Sequence, residues 1–341
     1  MKLKLSKFYL FSLLFACLSL CAGCGVGREQ AAGAVKAEPK KSLVIYNCNA
    51  EDWTAPVIKE FQEETGIAVT VVAGGTGELA ARVKKEKAQP GGDVLWGGAG
   101  SMYVSLRDYL EPYDSKEQAS LMDAFRVQGN AYYNYVADPY VISYNTNRVG
   151  TTEAPSGWQD LLNLRWQGQI ALADPAKSGA TYGALWSIWE NTGKNARVID
   201  RLIRNLDHKI ISNPAAQIKA LSDGGYDLTV TREALVLKYL QSGAPVRVVY
   251  PREGTCISTE GIGVLKGCRQ PENARRFVDF ILSRKVQGIL PGYYRRSVRQ
   301  DVAAGADMLP LAKFTYRTLD FEQAQADKEK LLQQWRENMA D

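Results

Sequence analysis

The sequence predicts an α/β protein of two lobes, and three observations lead there. The chain has 341 residues, about two domains' worth at roughly 100–200 residues per domain. Short apolar runs alternate with helix-patterned segments along most of it, the grammar of a mostly parallel sheet with helices on its faces. Two extended stretches, residues 131–145 and 246–250, divide that alternation and read as the two strands joining the lobes. With 45% apolar and 23% charged residues the chain folds rather than staying disordered.

The first 24 residues read as an export leader. Lys2, Lys4 and Lys7 precede an apolar run over 8–22, shorter than the roughly 20 residues a membrane-spanning helix needs but right for a signal-peptide core. The run ends in Leu20-Cys21-Ala22-Gly23-Cys24, which resembles the lipobox of bacterial lipoproteins. Cys24 is the expected lipid anchor, and ordinary signal-peptidase cleavage is the other reading, because Cys21 stands where an aliphatic residue is usual. Residues 25–40, rich in Gly, Ala and charge, form a flexible tether. No later stretch is long and apolar enough to span, so the membrane is expected to be met through the anchor alone. The three leader lysines account for three of the five net positive charges, leaving 39 basic against 37 acidic residues. Nucleic acid is therefore not an expected partner.

From residue 41 the elements follow in order. KSLVIY is a strand, NCNAEDW its loop, and 55–65 a helix with Val57, Ile58 and Phe61 on one side. IAVTVVA is a second strand, running through Gly74-Gly75-Thr76-Gly77 into a helix over 78–89. DVLW is a third, ending in Gly97-Gly98-Ala99-Gly100-Ser101 before another helix. The first crossing, AYYNYVADPYVISYN, passes through Pro139. Beyond it lie Trp158, Leu161, Leu162 and Trp166, a strand over 170–173, and the loop 174–181 opening a helix through Trp186 and Trp189. Residues 210–214 and 226–233 read as further strand-to-helix units, and 246–250 as the return. A helix over 271–284 presents Ala274, Phe277, Val278 and Ile281 on one face, and 321–339 is a polar amphipathic helix. Lobe I then comprises 41–138 and 254–290, lobe II 139–253, and 291–341 packs on the lobes or hinge.

Three cysteines remain after the leader: Cys48, Cys256 and Cys268. In an exporting context Cys256 and Cys268 either pair across a segment that turns back on itself, adding about 3 kcal/mol, or stand as buried thiols on neighbouring strands.

Enzymatic chemistry finds little to use. His208 is the single histidine, which excludes multi-histidine zinc sites and weakens histidine-dependent triads. No nucleophile elbow, phosphate-loop lysine or HExxH helix appears, so no enzyme, cofactor or resident metal is expected. The loops offer backbone instead. Helix starts present unpaired N–H groups, and glycine lets an anion approach them. Gly74–Gly77, Gly97–Ser101 and Ser178–Thr181 are three such places, although each alone also fits an ordinary turn and cap. One terminus contributes about 0.3–1 kcal/mol against the roughly 8 kcal/mol of micromolar affinity, so several must converge with an arginine, whose fork grips phosphate or carboxylate. Arg232 and the run Arg295, Arg296, Arg299 are the candidates. The expected ligand-binding set is Asn47, Cys48, Gly75, Thr76, Gly77, Gly98, Ser101, Ser178, Gly179, Thr181, Thr231, Arg232, Glu233 and Arg296, with Trp53, Trp96 and Tyr182 adjoining.

The segments YNCNAED, GGTGELAARVKKE, GGDVLWGG, SYNTN, WQGQIALADPAKSG and YYRRSVRQDV together are similar to the extracellular solute-binding proteins of ABC importers grouped with ferric-ion-binding and hexose-phosphate-binding proteins. That resemblance implies a type II periplasmic-binding-protein fold whose lobes close on a ligand, and delivery to a permease with its ATPase. Some relatives instead serve a sensor histidine kinase. Iron binders of the group typically carry paired tyrosines where this chain has Thr231 and Arg232, and a histidine where it has Cys48. The departure favours a small organic anion, a phosphorylated sugar or phosphonate, over ferric ion.

Overall fold

The computed structural model describes residues 42–340, so the leader, the Cys24 anchor and the tether lie outside the described residues. Lobe I begins with β1 (Ser42–Asn47), α1 (Glu51–Thr65), β2 (Ala68–Ala73), α2 (Thr76–Lys85), β3 (Val94–Ala99) and the short α3 (Gly100–Ser105). β1 lies between β2 and β3, parallel to both, with Tyr46 opposite Val72 and Leu95. Side chains alternate across this sheet. Leu43, Ile45, Val94 and Trp96 join one core with α1, whereas Tyr46 and Leu95 join a second with Leu79 and Met102 on the opposite face.

β4 (Tyr133–Asn145) is buried along its whole length and serves two sheets. Tyr133 to Pro139 pair with the later strand β8, and from Tyr140 onward the partners belong to lobe II. Pro139, which has no N–H to give, sits at the changeover. Lobe II holds β5 (Ile170–Ala171), α4 (Gly179–Asn191), α5 (Ala196–Asn205), α6 (Pro214–Ser222), β6 (Leu228–Arg232), α7 (Glu233–Gln241) and β7 (Val246–Val249). Its core includes Trp158, Trp166, Trp186 and Trp189. β8 (Thr255–Val264) then returns to lobe I, followed by α8 (Pro271–Leu282), α9 (Arg284–Ile289), β9 (Arg296–Ser297), β10 (Tyr316–Thr318), α10 (Phe321–Ala326) and α11 (Lys328–Ala340). This is a two-lobed α/β architecture with two hinge strands.

Four expectations need correcting. The return to lobe I runs through β8, whereas residues 246–250, expected as that crossing, supply β7, which pairs only with the lobe II half of β4. The sheet is mixed rather than mostly parallel, because β8 is antiparallel to β3 and β4, and β6 and β7 are antiparallel to β4. β1 and β3 run toward the other lobe, so a strand arriving from that lobe must oppose them. Residues 210–213 form no strand beyond a bridge from Ile211 to Ala173. Asp207 and His208 take left-handed conformations just before it, and Asn213 caps α6. The terminal helix breaks at Asp327 into α10 and α11. There the Trp186 indole N–H donates to the Asp327 carboxylate at 3.1 Å, and Leu331, Leu332 and Trp335 enter the lobe II core.

Candidate functional site

The loops leaving β1, β2 and β3 meet. Cys48 N–H donates to the Trp96 carbonyl at 2.8 Å, and Gly74 N–H to the Asn47 carbonyl at 3.2 Å. Gly97 and Gly98 have φ of +85° and +82°, where side-chain-bearing residues are strained. A Cβ on Gly98 would lie 3.2 Å from Thr76 Oγ1 and 3.3 Å from Cys48 Sγ, so these three candidates share one small space. Burial pushes the Cys48 thiol up to about 11, against the opposing effect of a hydrogen bond with Thr76, and the thiol stays protonated. Asn47 is scaffold: its Oδ1 accepts the Asn49 backbone N–H at 3.0 Å. Gly75 caps α2, its N–H donating to Glu78 at 3.4 Å, while Gly77 meets open space and Ser101 is exposed on α3.

In lobe II, β5 and β6 run parallel and end toward Tyr140, on the hinge side. Ser178 Oγ caps α4 by accepting the Thr181 N–H at 3.2 Å. Thr181 is buried and Gly179 exposed. Gly183, one turn on, leaves room for the Tyr140 hydroxyl, which would be 2.0 Å from a Cβ there. Thr231 is buried in β6 opposite Val141, and Arg232 follows it, 38% exposed.

Arg232 reaches toward the hinge, 3.5 Å from Asp138 Oδ2 on β4 and 3.6 Å from Glu260 Oε1 on β8. Glu260 Oε2 accepts from Arg295 at 2.6 Å and from the Tyr135 hydroxyl at 3.0 Å, and that hydroxyl also lies 2.7 Å from Asn49 Oδ1. The Arg295 guanidinium lies 4.9 Å from the Trp53 ring centre. Burial would raise the Glu260 carboxyl, but Arg295 and Arg232 together hold it below the usual range. Burial dominates at Asp138 and pushes it up to about 6, despite Arg232 and the Ala234 N–H, which donates to Oδ1 at 3.1 Å. Asp138 thus already occupies the N-terminal end of α7. The hub is two guanidiniums and two carboxylates, formally neutral.

Sequence reasoning missed Asp138 and Glu260, and chose Arg296 over its neighbour Arg295. Asp138 and Glu260 sit within β-like runs with no local motif, and only strand register makes them neighbours of Arg232. Arg296 and Glu233 are placed against each other. Nε and Nη2 of Arg296 each donate to Glu233 at 2.6 Å, Nη2 donates to the Leu309 carbonyl at 2.7 Å, and both side chains are buried. Their polar atoms serve the scaffold. The pairing of Cys256 with Cys268 is also corrected, because the three cysteines among the described residues, Cys48, Cys256 and Cys268, are free thiols. The segment does not turn back: Cys256 and Val264 lie on one strand, roughly 25 Å apart at its usual rise, and a disulfide needs Cα atoms within about 7 Å.

Residues 103–324 match the family described as bacterial extracellular solute-binding protein. The chain belongs to that family. This solute-binding protein is of the ABC-importer kind, in the group containing ferric-ion and hexose-phosphate binders, and the family is one of binding proteins rather than enzymes. It is 28% identical over 293 residues to an uncharacterised Haemophilus influenzae protein, covering 82% of each chain. It is 24% identical over 340 residues to the Fe(3+)-binding periplasmic protein of Serratia marcescens, covering 96% of this chain and 97% of that one. Among solved structures it resembles the periplasmic binding protein AfuA of Actinobacillus pleuropneumoniae, solved with fructose 6-phosphate. The TM-score is 0.72 at 24% identity, over 88% of this chain and 98% of that one. The fold is thus the type II periplasmic-binding-protein fold.

Proposed function

We propose that this solute-binding protein takes a small organic anion, a phosphorylated sugar or phosphonate, between its lobes and delivers it to an ABC permease with its ATPase. Arg232 carries the reading. It is a partly exposed guanidinium on lobe II, held to the hinge carboxylates only by contacts of 3.5 and 3.6 Å, so its N–H fork is available to an oxyanion. Thr76 at the α2 start with Gly98 beside it near the end of β3, and Ser178 and Gly179 at the α4 start, add hydroxyl and backbone donors from either lobe.

Ferric ion is the weaker alternative. Among the described residues no set of three or more His, Cys, Asp or Glu side chains converges on a metal position. Both hub carboxylates face guanidiniums, and burial keeps the Tyr135 phenol well above its ordinary range, whereas Fe³⁺ wants anionic oxygen. Delivery to a sensor histidine kinase would use the same cleft. Anchoring through Cys24 belongs to this proposal, and labelling with a palmitate analogue that is lost in Cys24→Ser tests it. For the ligand, calorimetry with glucose 6-phosphate, methylphosphonate, citrate and ferric ion is the test. Binding of an organic anion that Arg232→Ala abolishes is expected, and binding of ferric ion alone, with a tyrosinate charge-transfer band, refutes the reading.

A further inference from the structure

We propose, resting on the organic-anion reading above, that the guest also carries a positively charged nitrogen, accepted by Glu260 Oε1 and Asp138 Oδ2 while Arg232 holds the anionic end. Each hub carboxylate has one oxygen committed to the scaffold. Glu260 Oε2 takes Arg295 and Tyr135, and Asp138 Oδ1 takes the α7 backbone. The other oxygen of each is turned toward Arg232 at 3.6 and 3.5 Å, beyond ordinary hydrogen-bond length. These oxygens retain lone pairs for new donors, and they flank the guanidinium that an anion would engage.

Charge balance points the same way. Arg232, Arg295, Asp138 and Glu260 sum to zero. The facing lobe I loops contribute the neutral Cys48 and Thr76, and the first turn of α2 carries Glu78. At the α4 start Lys177 is 83% exposed and lies 3.8 Å from Asp174. A dianion entering this space would meet one loosely held arginine flanked by two carboxylates. Like charges in a partly desolvated cleft repel strongly, so the compensating positive charge has to arrive with the guest. A zwitterion meets that condition: its oxyanion replaces the carboxylates as the partner of Arg232, and its ammonium replaces Arg232 as theirs.

Calorimetry on matched pairs that differ in one amino group provides the test: glucosamine 6-phosphate against glucose 6-phosphate, and 2-aminoethylphosphonate against propylphosphonate. The expected result is at least tenfold tighter binding of the aminated member in one pair. Glu260→Gln should lower the affinity of that member relative to its non-aminated partner at least tenfold, and Asp138→Asn, which spares the Arg295 contact, should shift the same ratio in the same direction. Equal or tighter binding of the non-aminated member, or a preference that survives both substitutions, overturns the inference. Tight binding of glucose 6-phosphate without preference removes this inference alone. Failure of all four compounds alongside ferric-ion binding removes the organic-anion reading with it.

Discussion

Arg296→Met separates scaffold from site. Arg296 donates two hydrogen bonds of 2.6 Å to Glu233, one of 2.7 Å to the Leu309 carbonyl and one of 3.2 Å to the Tyr250 hydroxyl, and the two charged side chains are 3% and 1% exposed. Tyr250 in turn donates to Glu233. The cluster ties β9 to the start of α7 and to the segment before β10, so it joins elements on both sides of the hinge. Removing one partner of such a buried pair costs about 3–5 kcal/mol, because the other charge is left uncompensated. At roughly 2–4 °C per kcal/mol for a chain approaching this size, Tm should fall by about 6–20 °C. The double variant Arg296→Met, Glu233→Leu should recover most of that loss, since no buried charge remains. Thermal and urea unfolding of the two single variants and the double variant, with ligand affinity measured on the folded fraction, form the assay. A loss under 1 kcal/mol accompanied by a large drop in affinity would refute the placement of this pair in the scaffold.

Asp138 makes stability depend on pH. Its folded value of about 6 lies above its unfolded one, near 3.9, so its stabilising protonation is fully present below about 4 and is lost as pH rises through 6, by at most about 3 kcal/mol. Urea titrations at pH 4.5 and 7 should show a smaller difference in Asp138→Asn than in the wild type. Gly98→Ala places a Cβ 2.8 Å from Met102 Cε at a φ of +82°, and should lose about 1–3 kcal/mol together with affinity. Gly77→Ala, in open space within α2, should stabilise by about 0.5–1 kcal/mol. Dithiothreitol should leave Tm unchanged and mass spectrometry should count three alkylatable thiols after residue 41, because Cys256 near the start of β8 and Cys268 beyond the end of that strand lie too far apart to pair.

The fold was legible where local pattern and tertiary placement agree. The run at β1, the runs at β2 and β3 with glycine loops behind them, the extended stretch through Pro139 and the tryptophan-rich α4 each announce themselves by period and turn chemistry. The direction of β8 was not legible, because antiparallel pairing follows from which lobe the strand comes from, and its own residues say nothing of that. The same limit applies to the site. Thr76, Gly98 and Cys48 could be found as loop residues at the ends of parallel strands, and Arg232 as a charged residue closing a strand. Asp138 and Glu260 became site residues only through the register of β4 against β6 and β8, a contact between segments more than 90 residues apart. In the YYRRSVR run, Tyr294 takes a left-handed conformation and the two following arginines part, one to Glu260 and one to Glu233.

A crystal structure of the mature chain with the organic anion that stabilises it most tests the central claim most directly. The expected result is a closed cleft in which the oxyanion accepts from the Arg232 guanidinium and from donors at the Thr76 and Ser178 loops. An anion bound away from Arg232, or a metal ion coordinated by tyrosines in its place, would contradict it.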